Sequence, residues 1–75
     1  MPEEPNMKDH VHKLIELTGT STTSIEDAIN KAINRAHKAI KNLFWFQVIE
    51  ARGDIDKEKV KHWQATIKIG FSLEA

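Results

Sequence analysis

Apolar residues recur at Ile25, Ala28, Ile29, Ala32, Ile33, Ala36, Ile40 and Leu43, with Glu26, Asn30, Lys31, Asn34, Arg35, Lys38 and Lys41 on the opposite side. This is the spacing of one helix face. Acidic residues open the segment and Lys38 and Lys41 close it, as the helix dipole favours. Either Thr23 with Glu26 or Ser24 with Asp27 supplies the S/T-x-x-acid signature of a helix start. The stripe is rich in alanine, and small side chains let a second layer approach closely. The segments on both sides read as strands, so the expected arrangement is one helix lying in the concave side of a sheet.

The segment "HVHKLIEL", residues 10–17, alternates imperfectly and suits a strand covered on both faces, and "TGTSTTS" after it reads as turn chemistry. Beyond the helix, "FWFQVIEAR" (44–52) reads as a second strand, "GDIDKEK" as a charged turn and "VKHWQATIKIGFSLE" (60–74) as the longest strand signal. The last two strands are expected to form an antiparallel hairpin, with Phe44, Phe46 and Val48 opposite Ile67, Ala65 and Trp63. This register places Gln64 diagonally beside Trp45 on the outer face. An all-antiparallel sheet then requires the first strand beside the third. The expected fold is α+β, ordered β-α-β-β, with a three-stranded sheet of order 1-3-2 around one helix.

With 75 residues, the chain makes one domain that buries only about 60% of its unfolded surface, so association is expected. Residues 1–9 read as a mobile tail and 10–75 as the domain. The absence of cysteine excludes a disulfide framework or thiolate metal site. Eleven basic residues balance eleven acidic ones, which disfavours nucleic acid and anionic membranes as partners. The N-terminus has no apolar core of a signal peptide, and no apolar run approaches the ~18 residues of a spanning helix. A soluble, cytoplasmic protein is the default expectation.

Phe44, Phe46 and Val48 take the core-facing side of their strand, and Trp45 and Gln47 the other. An indole on the outer face serves either a subunit interface or a platform for a flat ligand, whose ring edge an amide such as Gln64 can bond. Arg52 ends the strand where a guanidinium could meet a phosphate or carboxylate; its plain alternative is a surface arginine. His10 and His12 form only a pair, and His37 and His62 lie on other elements, too dispersed for a metal site. Asp54, Asp56 and Glu58 lack the glycine and bidentate glutamate of a calcium loop, so a solvated turn is expected. There is no nucleophile–base pair at a telling spacing and no phosphate-binding glycine loop, so no enzymatic activity is expected. A single-stranded RNA platform would use exposed strand aromatics, but the neutral charge argues against it.

"IELTGTS" before the helix, "WFQVIEARG", "WQATIKIGF" and the "LE" ending occur here in an order and spacing that resembles the dodecins. These are small proteins that assemble into hollow twelve-subunit shells and bind flavins. The match covers residues 11–74. The resemblance implies a homododecamer in which tryptophans of two subunits, here Trp45, sandwich stacked flavin rings while Gln64 bonds the ring edge. The "WF…RG…GF" pattern is similar to the bacterial branch. That likeness implies FMN as the preferred flavin, with riboflavin and FAD as alternatives, and makes Arg52 a phosphate contact. Gln47 stands where that branch usually has glutamate, a departure that the resemblance ties to either the flavin preference or the polar lining near Trp45. Ser72 stands where arginine is common, which leaves coenzyme A only an open alternative. The implied role is flavin storage and quenching of its photochemistry; the rival is an assembly module with no ligand.

Overall fold

The computed structural model describes residues 11–73. The expected tail at 1–9, together with His10 and Glu74, lies outside the described residues. The elements run β1 (His12–Ser21), α1 (Ile25–Ala39), β2 (Leu43–Asp56) and β3 (Lys59–Ser72). β3 pairs antiparallel with both other strands, giving the order β1-β3-β2. This is the expected α+β topology.

Of the two candidate starts, the helix uses Ser24, whose hydroxyl accepts from the Asp27 N–H at 3.0 Å. Ser21, at the end of β1, is buried beneath this corner. Its hydroxyl donates to Asp27 Oδ2 at 2.6 Å and accepts from the Thr23 N–H at 2.9 Å, tying strand end to helix start. Asp27 also pairs with Lys31 at 3.3 Å. The Ser21 bond, followed by Lys31, holds its carboxyl below the usual range.

Ala28, Ala32 and Ala36 form the buried stripe of α1. They allow close approach to the sheet, and Gly19 of β1 completes it: a Cβ there would overlap the Ala28 carbonyl oxygen. Ala32 and Ala36 pack on Ile67 and Ile69, flanked by Ile15, Leu17, Ile29, Ile33 and Leu43. The helix is shorter than the stripe implied. Ile40 is already extended and Asn42 is left-handed with φ 64°, so the chain turns and Leu43 starts β2 opposite Phe71.

The hairpin is longer than expected. Thr18–Ser21, read as turn, continue β1, and Gly53–Asp56 continue β2. Only Lys57 and Glu58 remain as the loop, with φ of 54° and 68°. Positive φ at both central residues is the type I′ requirement, normally met by Asn or Gly. The register of β2 on β3 also differs from expectation: Phe46 opposes Ile69 rather than Ala65, and Val48 opposes Ile67 rather than Trp63. The offset is even, so the apolar rows stay on the core side. The offset follows from the loop, which closes at Lys57 and Glu58, two residues later than the expected register requires; the breaks between Leu43 and Trp45, Val48 and Glu50, and Asp54 and Ile55 change the pairing only locally.

The helix packs against β1 and β3. Phe46 and Val48 share the helix-bearing face yet remain 46% and 44% exposed. This leaves an apolar strip of β2 uncovered in the single chain.

Candidate functional site

The outer face of the sheet is set by the register. Trp45 pairs with Gly70, Gln47 with Lys68, Glu50 with Thr66, Arg52 with Gln64 and Asp54 with His62. Counting by twos from Trp45 would place Arg52 on the helix side. The extra residue at Ile49, between the Val48 and Glu50 pairings, flips the alternation and brings Arg52 and Asp54 onto the Trp45 face.

One end of this face is aromatic. The Trp45 indole lies over Gly70, where any Cβ would collide with its ring atoms. Gly70 therefore serves as a flat seat, a use of glycine inside a strand that lets another group approach closely. His12 of β1 meets the indole edge-on, with ring centroids 5.4 Å apart at 61°, and lies 5.7 Å from Phe44. The indole is only partly buried, so it is held in place but not covered.

The other end is polar. Arg52 Nε donates to Gln64 Oε1 at 2.7 Å. Next to it, His62 Nδ1 lies 3.2 and 3.3 Å from the two Asp54 carboxylate oxygens. The imidazole contact is the main cause that holds the Asp54 carboxyl below its usual range. These four residues, with Thr20 of β1 and Gly53, line an open groove of about 450 Å³.

The structure thus unites Arg52 with Gln64 and separates both from Trp45. Gln64 is not the diagonal neighbour of Trp45. It lies six residues along β3 from Gly70, on the order of 20 Å at ~3.3 Å per residue. The physical reason is the two-residue loop at Lys57 and Glu58, which sets Trp45 opposite Gly70. Gln47 stays on the Trp45 face, two residues along, opposite Lys68. Ser72 is buried and pairs with His12.

The sequence assigns Gly70 no role and brings in Asp54 and His62 only as metal-site candidates that it sets aside. Gly70 had a signal, because glycine in a strand otherwise rich in Ile and Thr calls for a close neighbour. Asp54, which the sequence places in a solvated turn, lies in β2 and faces His62 across the hairpin. No helix of the described residues is long and apolar enough to cross a membrane. Among the same residues there is no cluster of three or more metal-ligating side chains.

The profile of the Dodecin family matches residues 11–74. A dodecin of Thermus thermophilus is 45% identical over 64 residues, spanning 85% of this chain and 93% of that protein. The solved dodecin of Streptomyces coelicolor superposes with a TM-score of 0.84 at 38% identity, covering 92% of this chain and 99% of the other. That of Streptomyces davaonensis gives 0.82 at 38%, covering 91% and 100%.

Proposed function

The chain belongs to the dodecin family, and from that premise we propose that it is a flavin-sequestering homododecamer of the cytoplasm, with FMN as its preferred ligand. The observation that carries this reading is the Trp45 indole seated on Gly70. It offers a ring surface fixed from beneath, partly exposed, on the face away from the core. A planar tricyclic ring fits such a platform by stacking. No catalytic step is assigned.

Trp45 and Gln64 stand too far apart in one chain to meet across a single ring system. The site therefore draws Trp45 from one copy and Gln64 from another. Gln64 carries both a donor and an acceptor for a ring edge. Its carbonyl already accepts from Arg52, which fixes the amide with its NH₂ free to donate. Arg52 spends one of its five N–H donors on that bond and directs others to a phosphate. Gln47 adds a neutral polar group beside the platform. The uncovered strip of Phe46 and Val48 supports association, because a dodecin fold with this strip open to water has a reason to assemble.

A bound flavin supplies an excited state that accepts an electron. With a flavin stacked on it, the Trp45 indole would be the electron-rich group able to donate to that state and recover the electron, dissipating light energy without net chemistry. The protein's part is to hold the donor in van der Waals contact and exclude competing reactants.

Titration of FMN with the protein, followed by flavin fluorescence, tests the reading. Saturable quenching that is lost in Trp45→Ala is the expected result. Undiminished quenching in that variant rules out stacking on Trp45. Absence of quenching by the intact oligomer favours the ligand-free assembly module.

A further inference from the structure

The groove beside Gln64 contains a carboxylate–imidazole pair that stacking and ring-edge recognition leave without a task. Asp54 and His62 face each other across the hairpin at 3.2 Å, in the same groove as Arg52. The charged or titratable groups on this stretch of the outer face are Arg52 and Asp54 on β2 and His62 on β3. β1 contributes the uncharged Thr20, α1 packs on the opposite face, and Glu50 and Lys68 come next along the sheet.

The charge balance of the groove follows from this arrangement. With a neutral imidazole, the Arg52 cation and the Asp54 carboxylate cancel. A protonated imidazole leaves one positive charge in excess, and lowering the pH favours that form. Asp54 also lies two residues from Arg52 on the same face, where its carboxylate repels any phosphate that Arg52 attracts.

We propose that Asp54 and His62 are specificity-determining residues which set the net charge of this groove, so that its preference for a phosphorylated over an unphosphorylated flavin rises as pH falls. The inference rests on the flavin reading above and deepens it by naming the residues that set how strongly the groove favours the flavin's phosphate.

FMN and riboflavin differ by that phosphate alone, so the ratio of their affinities isolates the groove. The experiment measures both by fluorescence titration at pH 8 and pH 6, for the unmodified protein, His62→Gln and Asp54→Asn. For the unmodified protein, the FMN preference is expected to rise roughly two- to five-fold toward pH 6, the range of an exposed charge pair. In His62→Gln the rise is absent. The phosphate itself loses charge near pH 6, which acts against the rise equally in both proteins, so their difference reports the imidazole. In Asp54→Asn the preference at pH 8 already exceeds that of the unmodified protein. Both variants sit on exposed or half-exposed positions, and sedimentation checks their assembly. Binding of both flavins with the same pH response in His62→Gln as in the unmodified protein overturns this inference and leaves the flavin reading standing. Binding of neither flavin overturns both.

Discussion

Arg52 Nε bonds Gln64 Oε1 at 2.7 Å directly across the β2–β3 ladder, so the two polar residues of the proposed site form one unit. Their substitutions should nevertheless separate by ligand. Arg52→Ala is expected to weaken FMN about three- to ten-fold and riboflavin far less, because only the former loses a charge-assisted bond. Gln64→Ala should weaken both by a similar factor, as a lost hydrogen bond to the shared ring does. Parallel fluorescence titrations distinguish the two patterns.

Gly70 is the seat of Trp45, and a side chain there has nowhere to go but into the indole. Gly70→Val should displace the ring and reduce flavin affinity at least ten-fold while β1–β3 pairing persists. Titration with FMN, combined with the far-ultraviolet dichroism of the variant, checks this. Full affinity in a folded variant would separate Gly70 from the site.

The hairpin loop places Lys57 and Glu58 at positive φ, a conformation that costs L side chains roughly 1 kcal/mol each. Lys57→Asn with Glu58→Gly supplies the residues a type I′ turn prefers and should stabilise the chain by about 1 kcal/mol. The midpoint of denaturant unfolding reads the gain, and flavin affinity should be unchanged.

Asp27 receives the Ser21 hydroxyl and the Lys31 ammonium, which hold its carboxyl below the usual range. A depressed folded-state pKa stabilises above the unfolded value of ~3.9 and is lost as pH falls through the folded one. Ser21→Ala removes the largest cause of the depression, so acid unfolding should move to higher pH. A pH titration of the dichroism signal at constant ionic strength tests it.

What was legible in the sequence follows from how local each signal is. The helix stripe and the Ser24 cap involve residues three or four apart, and their alternation with strands was enough for the 1-3-2 order. The even register error kept Phe46 and Val48 on the correct face. The site was less legible because it depends on single-residue insertions. The extra residue at Ile49 moves Arg52 to the Trp45 face, and no composition marks it. Nor did Lys57 and Glu58 advertise a two-residue turn, so Asp54 and His62 could not be seen as partners.

The claim that each flavin takes Trp45 from one copy and Gln64 from another is tested most directly by co-assembly. Trp45→Ala and Gln64→Ala chains, unfolded together and refolded in equal amounts, are titrated with FMN. The expected result is recovery of about a quarter of the tight sites, the fraction in which random mixing joins an intact Trp45 to an intact Gln64. No recovery, with mixed oligomers verified by mass, would contradict a site built across copies.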